Sequence, residues 1–175
     1  MVNMTEAPII STCTVPYYCS LSGLQFRLAR PVDMSELARL RIEHVELDRR
    51  DSCQGKEDFC QAFEDFLLSR ITSREWLVLV AETNSQLVGC VYLQKSAKLP
   101  RPGHLNREYG SIIYLYVQKQ FRGQGLRAQL LREITQVGRS EGLKYLTGQP
   151  AAESHSIYRL LGFRRIDPEL KLGLQ

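Results

Sequence analysis

Val117-Gln118-Lys119-Gln120-Phe121-Arg122-Gly123-Gln124-Gly125-Leu126-Arg127 joins a β-like apolar run to an amphipathic helix through a basic, glycine-punctuated turn. Before it, Ser111, Ile113, Leu115 and Val117 alternate with Ile112, Tyr114 and Tyr116, a β-branched and aromatic run that suits a strand apolar on both faces. After it, Leu126, Leu130, Leu131, Ile134 and Val137 recur at helical spacing with polar residues between them, so a helix opens at about Gly125. The first turn of such a helix carries N–H groups without intrahelical partners and sits at the positive end of the helix dipole, which suits it to an anion such as a pyrophosphate. Gly123 and Gly125 let the backbone turn sharply and approach that ligand. Arg122 and Arg127 add positive charge.

Several glycine-rich loops share this physics. A Walker A loop needs Gly-Lys-Ser/Thr at its end, whereas Leu126 and Arg127 follow Gly125 here. Gly123-x-Gly125-x-x-Ala128 formally fits the dinucleotide fingerprint, but five residues separate Val117 from Gly123, and a dinucleotide loop follows its strand at once. No acidic residue closes the next apolar run, and too little chain remains for a doubly wound sheet.

Gln120-x-x-Gly123-x-Gly125 resembles the Q/R-x-x-G-x-G/A signature of the GNAT superfamily of acyl-CoA N-acyltransferases. Downstream by about 30 residues, Tyr158-Arg159-Leu160-Leu161-Gly162-Phe163 resembles that family's Y-x-x-x-G-F element. Two motifs in order are far more specific than either alone, and the resemblance extends over residues 24–167. It implies acetyl-CoA as cosubstrate, held by Tyr116, Val117, Arg122, Gly123, Gln124, Gly125, Leu126 and Arg127, and an amine acceptor. Arg127 stands where relatives often have glycine or alanine. The resemblance further implies a bulge near Tyr116 and Val117, where the strand parts from Lys144–Thr147 and frees backbone groups for pantetheine and the acyl group.

The composition describes an ordinary globule: 43% apolar and 24% charged residues in 175 suit a single compact domain. No apolar stretch approaches the roughly 18 residues of a membrane span, and the opening residues lack a basic-then-apolar leader, so the expectation is a cytoplasmic protein with no membrane partner. The net charge of +4 is dispersed, which argues against nucleic acid as a partner. The five cysteines form no C-x-x-C and have no paired histidines nearby, which predicts free thiols and no metal.

Residues 1–22 read as a mobile N-terminal extension, with Ile9–Val15 able to add to a sheet edge, and residues 23–175 as the catalytic domain. Leu24–Arg30 alternates as a first strand, and Pro31 closes it. Asp33 is expected to cap a first helix through Leu37, Leu40 and Val45, and Lys56–Ile71 to form a second with Phe59, Phe63, Phe66, Leu67 and Ile71 on its apolar face. Trp76–Ala81 and Gln86–Leu93 read as a hairpin around a polar turn, Lys95–Tyr109 as a long loop, and Gly110–Val117 as the next strand. After the glycine turn and its helix come a short strand at Lys144–Thr147, a short helix at Glu153–Leu161 and a last strand at Phe163–Ile166. The order β-α-α-β-β-β-α-β-α-β gives a single-domain α/β fold with a mixed, mainly antiparallel sheet flanked by helices.

Moving an acyl group from a thioester to an amine needs a neutral amine, a polarised carbonyl and a proton for the departing thiolate. Tyr158 occupies the position of the tyrosine that in many relatives supplies that proton, and is the expected catalytic residue. No general base is assigned. Where many relatives carry a strand carboxylate this chain has Ile113 and Tyr114, while Glu43, Glu46, Asp48 and Glu108 read as solvated surface charges. Ala151 replaces a family asparagine, and His44, His104 and His155 are scattered. The resemblance implies acetyl transfer from acetyl-CoA to a primary amine by direct attack, and the low charge bias favours a small-molecule acceptor. The rival readings are a non-catalytic acyl-CoA-binding module and a transferase for protein or peptide amines. Monomer and homodimer both remain open.

Overall fold

A computed structural model describes residues 23–48, 56–103, 105 and 107–165. The segment 1–22, with its Ile9–Val15 patch, and residues 166–175 lie outside them. Among the described residues five strands form one sheet in the order β1-β2-β3-β4-β5: β1 Gln25–Leu28, β2 Trp76–Thr83, β3 Gln86–Ala97, β4 Glu108–Val117 and β5 Leu146–Gly148. All neighbours are antiparallel except β4 and β5, which are joined through helix α3 (Leu126–Ser140) and run parallel. Helices α1 (Met34–Asp48) and α2 (Lys56–Thr72) precede β2, and α4 (His155–Leu160) follows β5. This is the mixed, helix-flanked α/β sheet that the sequence predicts.

The period-2 alternation of the strands divides the core into two layers. Leu77, Leu79, Ala81, Val91 and Leu93 face α3, whose Leu126, Leu130, Leu131 and Ile134 are buried against them. Val78, Val80, Cys90 and Tyr92 face the other way, onto Leu37 and Leu40 of α1 and Leu67 of α2. Each fully buried aliphatic side chain contributes about 1.5–3 kcal/mol. The four on α3 therefore fix the start of that helix firmly beneath the end of β4.

Local details differ from the sequence expectations. Asp33 does not cap α1. It ends a 3-10 turn at Pro31–Asp33, where its carboxylate accepts the Arg30 N–H at 2.6 Å and the Arg27 guanidinium at 2.7 and 2.8 Å. Arg27 also pairs with Glu82 at 2.7 Å, so one guanidinium ties the turn to both β1 and β2. On α2, Leu67 is buried while Phe59 and Phe66 stay exposed, because Phe66 lies edge-on to Trp76 at the sheet margin and Phe59 only stacks on Phe63. The expected loop at Lys95–Tyr109 is shorter: Lys95, Ser96 and Ala97 pair with Gly110, Tyr109 and Glu108, and both prolines fall beyond the ladder. β5 is placed at Leu146–Gly148 instead of Lys144–Thr147.

Phe163–Arg165 forms no strand, and Ile166 lies outside the described residues. The end of α4 explains this. Gly162 sits at φ 89°, its N–H donates to the Arg159 carbonyl, and the Phe163 N–H donates to the Tyr158 carbonyl. That left-handed cap turns the Phe163 ring back onto Tyr158, edge-on at 4.9 Å, instead of out toward the sheet.

Candidate active site

The site forms where β4 and β5 part. Their parallel ladder covers Gly110↔Leu146, Ser111↔Thr147 and Ile112↔Gly148 and then stops, with Ser111 and Thr147 hydroxyls 3.0 Å apart across it. β4 continues to Val117 with β3 on one side and no β5 partner on the other. Short of Val117, whose carbonyl accepts from Arg122, backbone groups along that open edge are without a strand partner.

The opening coincides with a bulge. Tyr92 pairs with Tyr114 and Leu93 with Ile112, so Ile113 is an extra residue on β4. The bulge expected near Tyr116 and Val117 is thus three to four residues earlier. It inverts the alternation: Ile112 faces the α3 core, yet Leu115 and Val117 do so beyond the bulge, and Tyr114 and Tyr116 turn to the α1 face. One inserted residue therefore both frees the strand edge and presents two tyrosines to the opposite side.

Beyond Val117 a 3-10 turn at Lys119–Phe121 leads to Gly123 and Gly125 at φ 76° and 79°, both left-handed. Glycine adopts that conformation without the cost a β-carbon would bring. A β-carbon on Gly123 would meet nothing within 4 Å, so the turn faces open space. Gly125 is the N-cap of α3 and has no side-chain cap; the first intrahelical bond runs from the Gln129 N–H to the Gly125 carbonyl at 3.1 Å. The N–H groups of Leu126, Arg127 and Ala128 consequently lack helical acceptors, and with the helix dipole they favour an anion. Gln124 reaches back to the Gln120 carbonyl at 3.3 Å.

The two arginines divide their roles in a way the sequence does not reveal. Arg122 folds back along β4: its Nε donates to the Val117 carbonyl at 3.0 Å, and its guanidinium lies 5.6 Å from the Tyr116 ring centre. The side chain thereby caps the strand end. Arg127 reaches across from α3 and donates to the Ser154 hydroxyl at 3.1 Å, beside the start of α4. It ties the glycine turn to the helix that carries Tyr158.

Tyr158 is buried, with its ring over the last residue of β5: a β-carbon on Gly148 would stand 2.7 Å from Cε1 and 3.4 Å from the hydroxyl oxygen. Only glycine lets the ring settle there, at the foot of the opening between the strands. Burial pushes the phenol up to about 12, against the pull of the Arg127 charge, so it holds its proton at neutral pH. His155 is exposed and its Nε2 donates to the Pro150 carbonyl at 3.0 Å, which makes it a turn residue.

On the α1 face of β4 lies a polar and aromatic cluster missed by sequence reasoning. His44 of α1 places Nδ1 3.1 Å from the Tyr114 hydroxyl and its ring 4.9 Å from that of Tyr116. Arg41 sits over the Tyr114 ring at 4.9 Å. Glu43 accepts from the Gln118 amide at 3.1 Å, lies 3.7 Å from the Arg39 guanidinium, and is no free surface charge. Burial raises the tyrosines Tyr92, Tyr114 and Tyr116, with Glu43 adding to the effect at Tyr116. The hydroxyls of Tyr92 and Tyr116 are buried without a hydrogen-bond partner of sound geometry. Cys90 beneath them is desolvated up to about 12, which removes it as a nucleophile. No signal at residue 44 or 114 announces this pairing, because the partners are separated by 70 positions.

The family model described as acetyltransferase (GNAT) family matches residues 41–163. The chain belongs to this family. Glucosamine 6-phosphate N-acetyltransferase of Trypanosoma brucei brucei is 28% identical over 97 residues, 55% of this chain and 64% of that relative, so the chain aligns with less than two thirds of it. Among solved structures, a predicted acetyltransferase from Clostridium acetobutylicum with acetyl-CoA superposes with a TM-score of 0.73 at 17% identity, covering 86% of this chain and 96% of its own. A Trypanosoma brucei acetyltransferase gives 0.66 at 22% identity, covering 86% and 99%. Both establish the shared fold. Among the described residues no group of three or more His, Cys, Asp or Glu side chains is placed to hold a metal, and no helix is long and apolar enough to cross a membrane.

Proposed function

We propose that this chain transfers an acetyl group from acetyl-CoA to the primary amine of a small molecule. One observation carries the reading: Tyr158 rests on Gly148 at the point where β5 leaves β4, and Arg127 joins its helix to the glycine turn. An extended thioester bound along the open β4 edge would have its phosphates at Gly123–Arg127 and its sulfur toward the phenol. Backbone donors of β4 would polarise the carbonyl. The amine nitrogen attacks the carbonyl carbon, the C–N bond forms, the nitrogen sheds one N–H proton to solvent, the C–S bond breaks, and the departing thiolate takes the Tyr158 proton; solvent then restores the phenol. A phenol that keeps its proton at neutral pH suits that task. The name of the trypanosome relative makes amino-sugar phosphates the first acceptors to try.

Chromatographic detection of free CoA from acetyl-CoA across a panel of amino sugars, amino-sugar phosphates, polyamines, amino acids and N-terminal peptides tests the proposal. The expected result is amine-dependent release that falls about 10² to 10⁴-fold in Tyr158→Phe, with acetyl-CoA affinity retained. Acetyl-CoA binding with no release from any amine would overturn catalysis in favour of a binding module. Turnover confined to peptides would overturn the small-molecule acceptor.

A further inference from the structure

We propose that Tyr114 and His44 form the relay that takes the proton from the acceptor amine, with the Tyr114 oxygen touching the amine and His44 Nδ1 as the final acceptor. The inference rests on the transferase reading above and supplies the base that reading lacks. Tyr114 follows Ile113 directly, so it stands where β4 opens and where the thioester would lie. The bulge turns it to the α1 face, opposite the layer that holds Tyr158. A nucleophile entering from one face and a leaving group protonated from the other is the arrangement that acyl transfer through a tetrahedral intermediate needs.

The balance is simple. An N–H bond of the acceptor ammonium breaks and its electron pair stays on nitrogen; the proton joins the Tyr114 oxygen. The phenol's own O–H bond breaks in concert, and that proton joins His44 Nδ1 across the 3.1 Å contact. The neutral amine then attacks. Burial holds Tyr114 well above the ordinary phenol range, so a standing tyrosinate is not the base and the phenol works only by passing a proton through. Imidazole is the side chain suited to receive it near neutrality.

The surroundings support transient charge on this pair. Arg41 lies over the Tyr114 ring and favours negative charge growing on its oxygen. From β3 the ionisable neighbours are Cys90 and Tyr92, both held protonated by burial, and from β4 Tyr116, with Glu43 of α1 beside it. Tyr116 packs against the imidazole with the two rings tilted by 31°, while Glu43 is engaged by Gln118 and Arg39.

The test compares wild type, Tyr114→Phe and His44→Gln for kcat against pH with acetyl-CoA and acceptor saturating, and measures acetyl-CoA affinity by calorimetry. Tyr114→Phe removes one oxygen and leaves the ring packed, so it guards against a folding failure of the histidine variant. Both variants are expected to lose about 100-fold in kcat, the lower end for a positioned acid or base, with acetyl-CoA Kd within threefold of wild type. Wild-type kcat should fall toward acid pH, and in His44→Gln, where the acceptor ammonium must lose its proton without the relay, that limb should move to higher pH. Full kcat in Tyr114→Phe, or an unchanged acid limb in His44→Gln, overturns the relay alone. A wild type that binds acetyl-CoA but acetylates nothing overturns the transferase reading and the relay with it.

Discussion

The two faces of β4 are built by different means. On the α3 side, the glycine turn, the helix start and Tyr158 come from residues 117–163, each on an element close in sequence to the next. On the α1 side, His44 meets Tyr114 across 70 positions and Glu43 meets Gln118 across 75. A cofactor common to many reactions can be met by a local, reusable motif, because pyrophosphate binding needs only backbone N–H groups and a left-handed turn. An acceptor-specific surface has to be assembled from whatever the helices bring to the sheet.

Three experiments sharpen or break that division. Of the three, the largest effect on turnover is expected from Gly148→Ala, whose β-carbon would stand 2.7 Å from the Tyr158 ring. Overpacking of this kind is relieved by moving the side chain it meets, so the phenol should be displaced and kcat fall about 10 to 100-fold, as for an acid held out of position, while acetyl-CoA Kd stays near wild type. Unchanged kcat by steady-state assay would show that the ring position is not critical and that the α3 face acts through its backbone alone.

Gly123→Ala comes next. Its β-carbon meets nothing, so the cost is conformational, about 1–2 kcal/mol for a left-handed residue. A turn that relaxes when empty and must return to φ 76° on binding would weaken acetyl-CoA about 5 to 30-fold by calorimetry and leave kcat at saturation unchanged. Equal affinity in the two proteins would remove the turn from the binding site.

No effect on turnover or on acetyl-CoA affinity is expected from Asp33→Asn, which tests whether the α1 side depends on its anchor. Arg27 holds the Asp33 carboxylate below the usual range, with the Arg30 N–H assisting. For a carboxyl depressed on folding, the linked stability is present in full above its unfolded pKa and is lost as pH falls through the lower folded value. Wild type should therefore lose melting temperature below about pH 4, where unfolded aspartate begins to protonate. The variant should be about 1.5 kcal/mol less stable at neutral pH and show a shallower acid decline in a thermal scan. A parallel acid decline in both proteins would deny Asp33 that role.

Much of the fold was legible because apolar period and turn chemistry report on it locally. β2, β3, β4 and α3 lie close to where alternation and 3.6-residue spacing predict. The misplacements have tertiary causes. Asp33 fits a capping pattern, yet a guanidinium two strands wide draws it into a different turn. Phe66 keeps helical phase with Phe63 but meets only the sheet margin. Phe163 looks like the start of a strand, and the left-handed Gly162 turns it inward onto Tyr158. In the site, Gly123, Gly125 and Tyr158 were readable as a motif, whereas the side-chain directions of Arg122 and Arg127 were not, since a long flexible side chain takes its partner from whatever the fold brings near.

The sequence by itself determined the α/β class and the glycine turn at the mouth of α3, because both depend on short-range backbone preference and on a helix that buries one face. Only the tertiary structure decided where β4 bulges, which face its tyrosines adopt and what His44 touches. A bulge is a mismatch between two strands, and neither strand carries it alone.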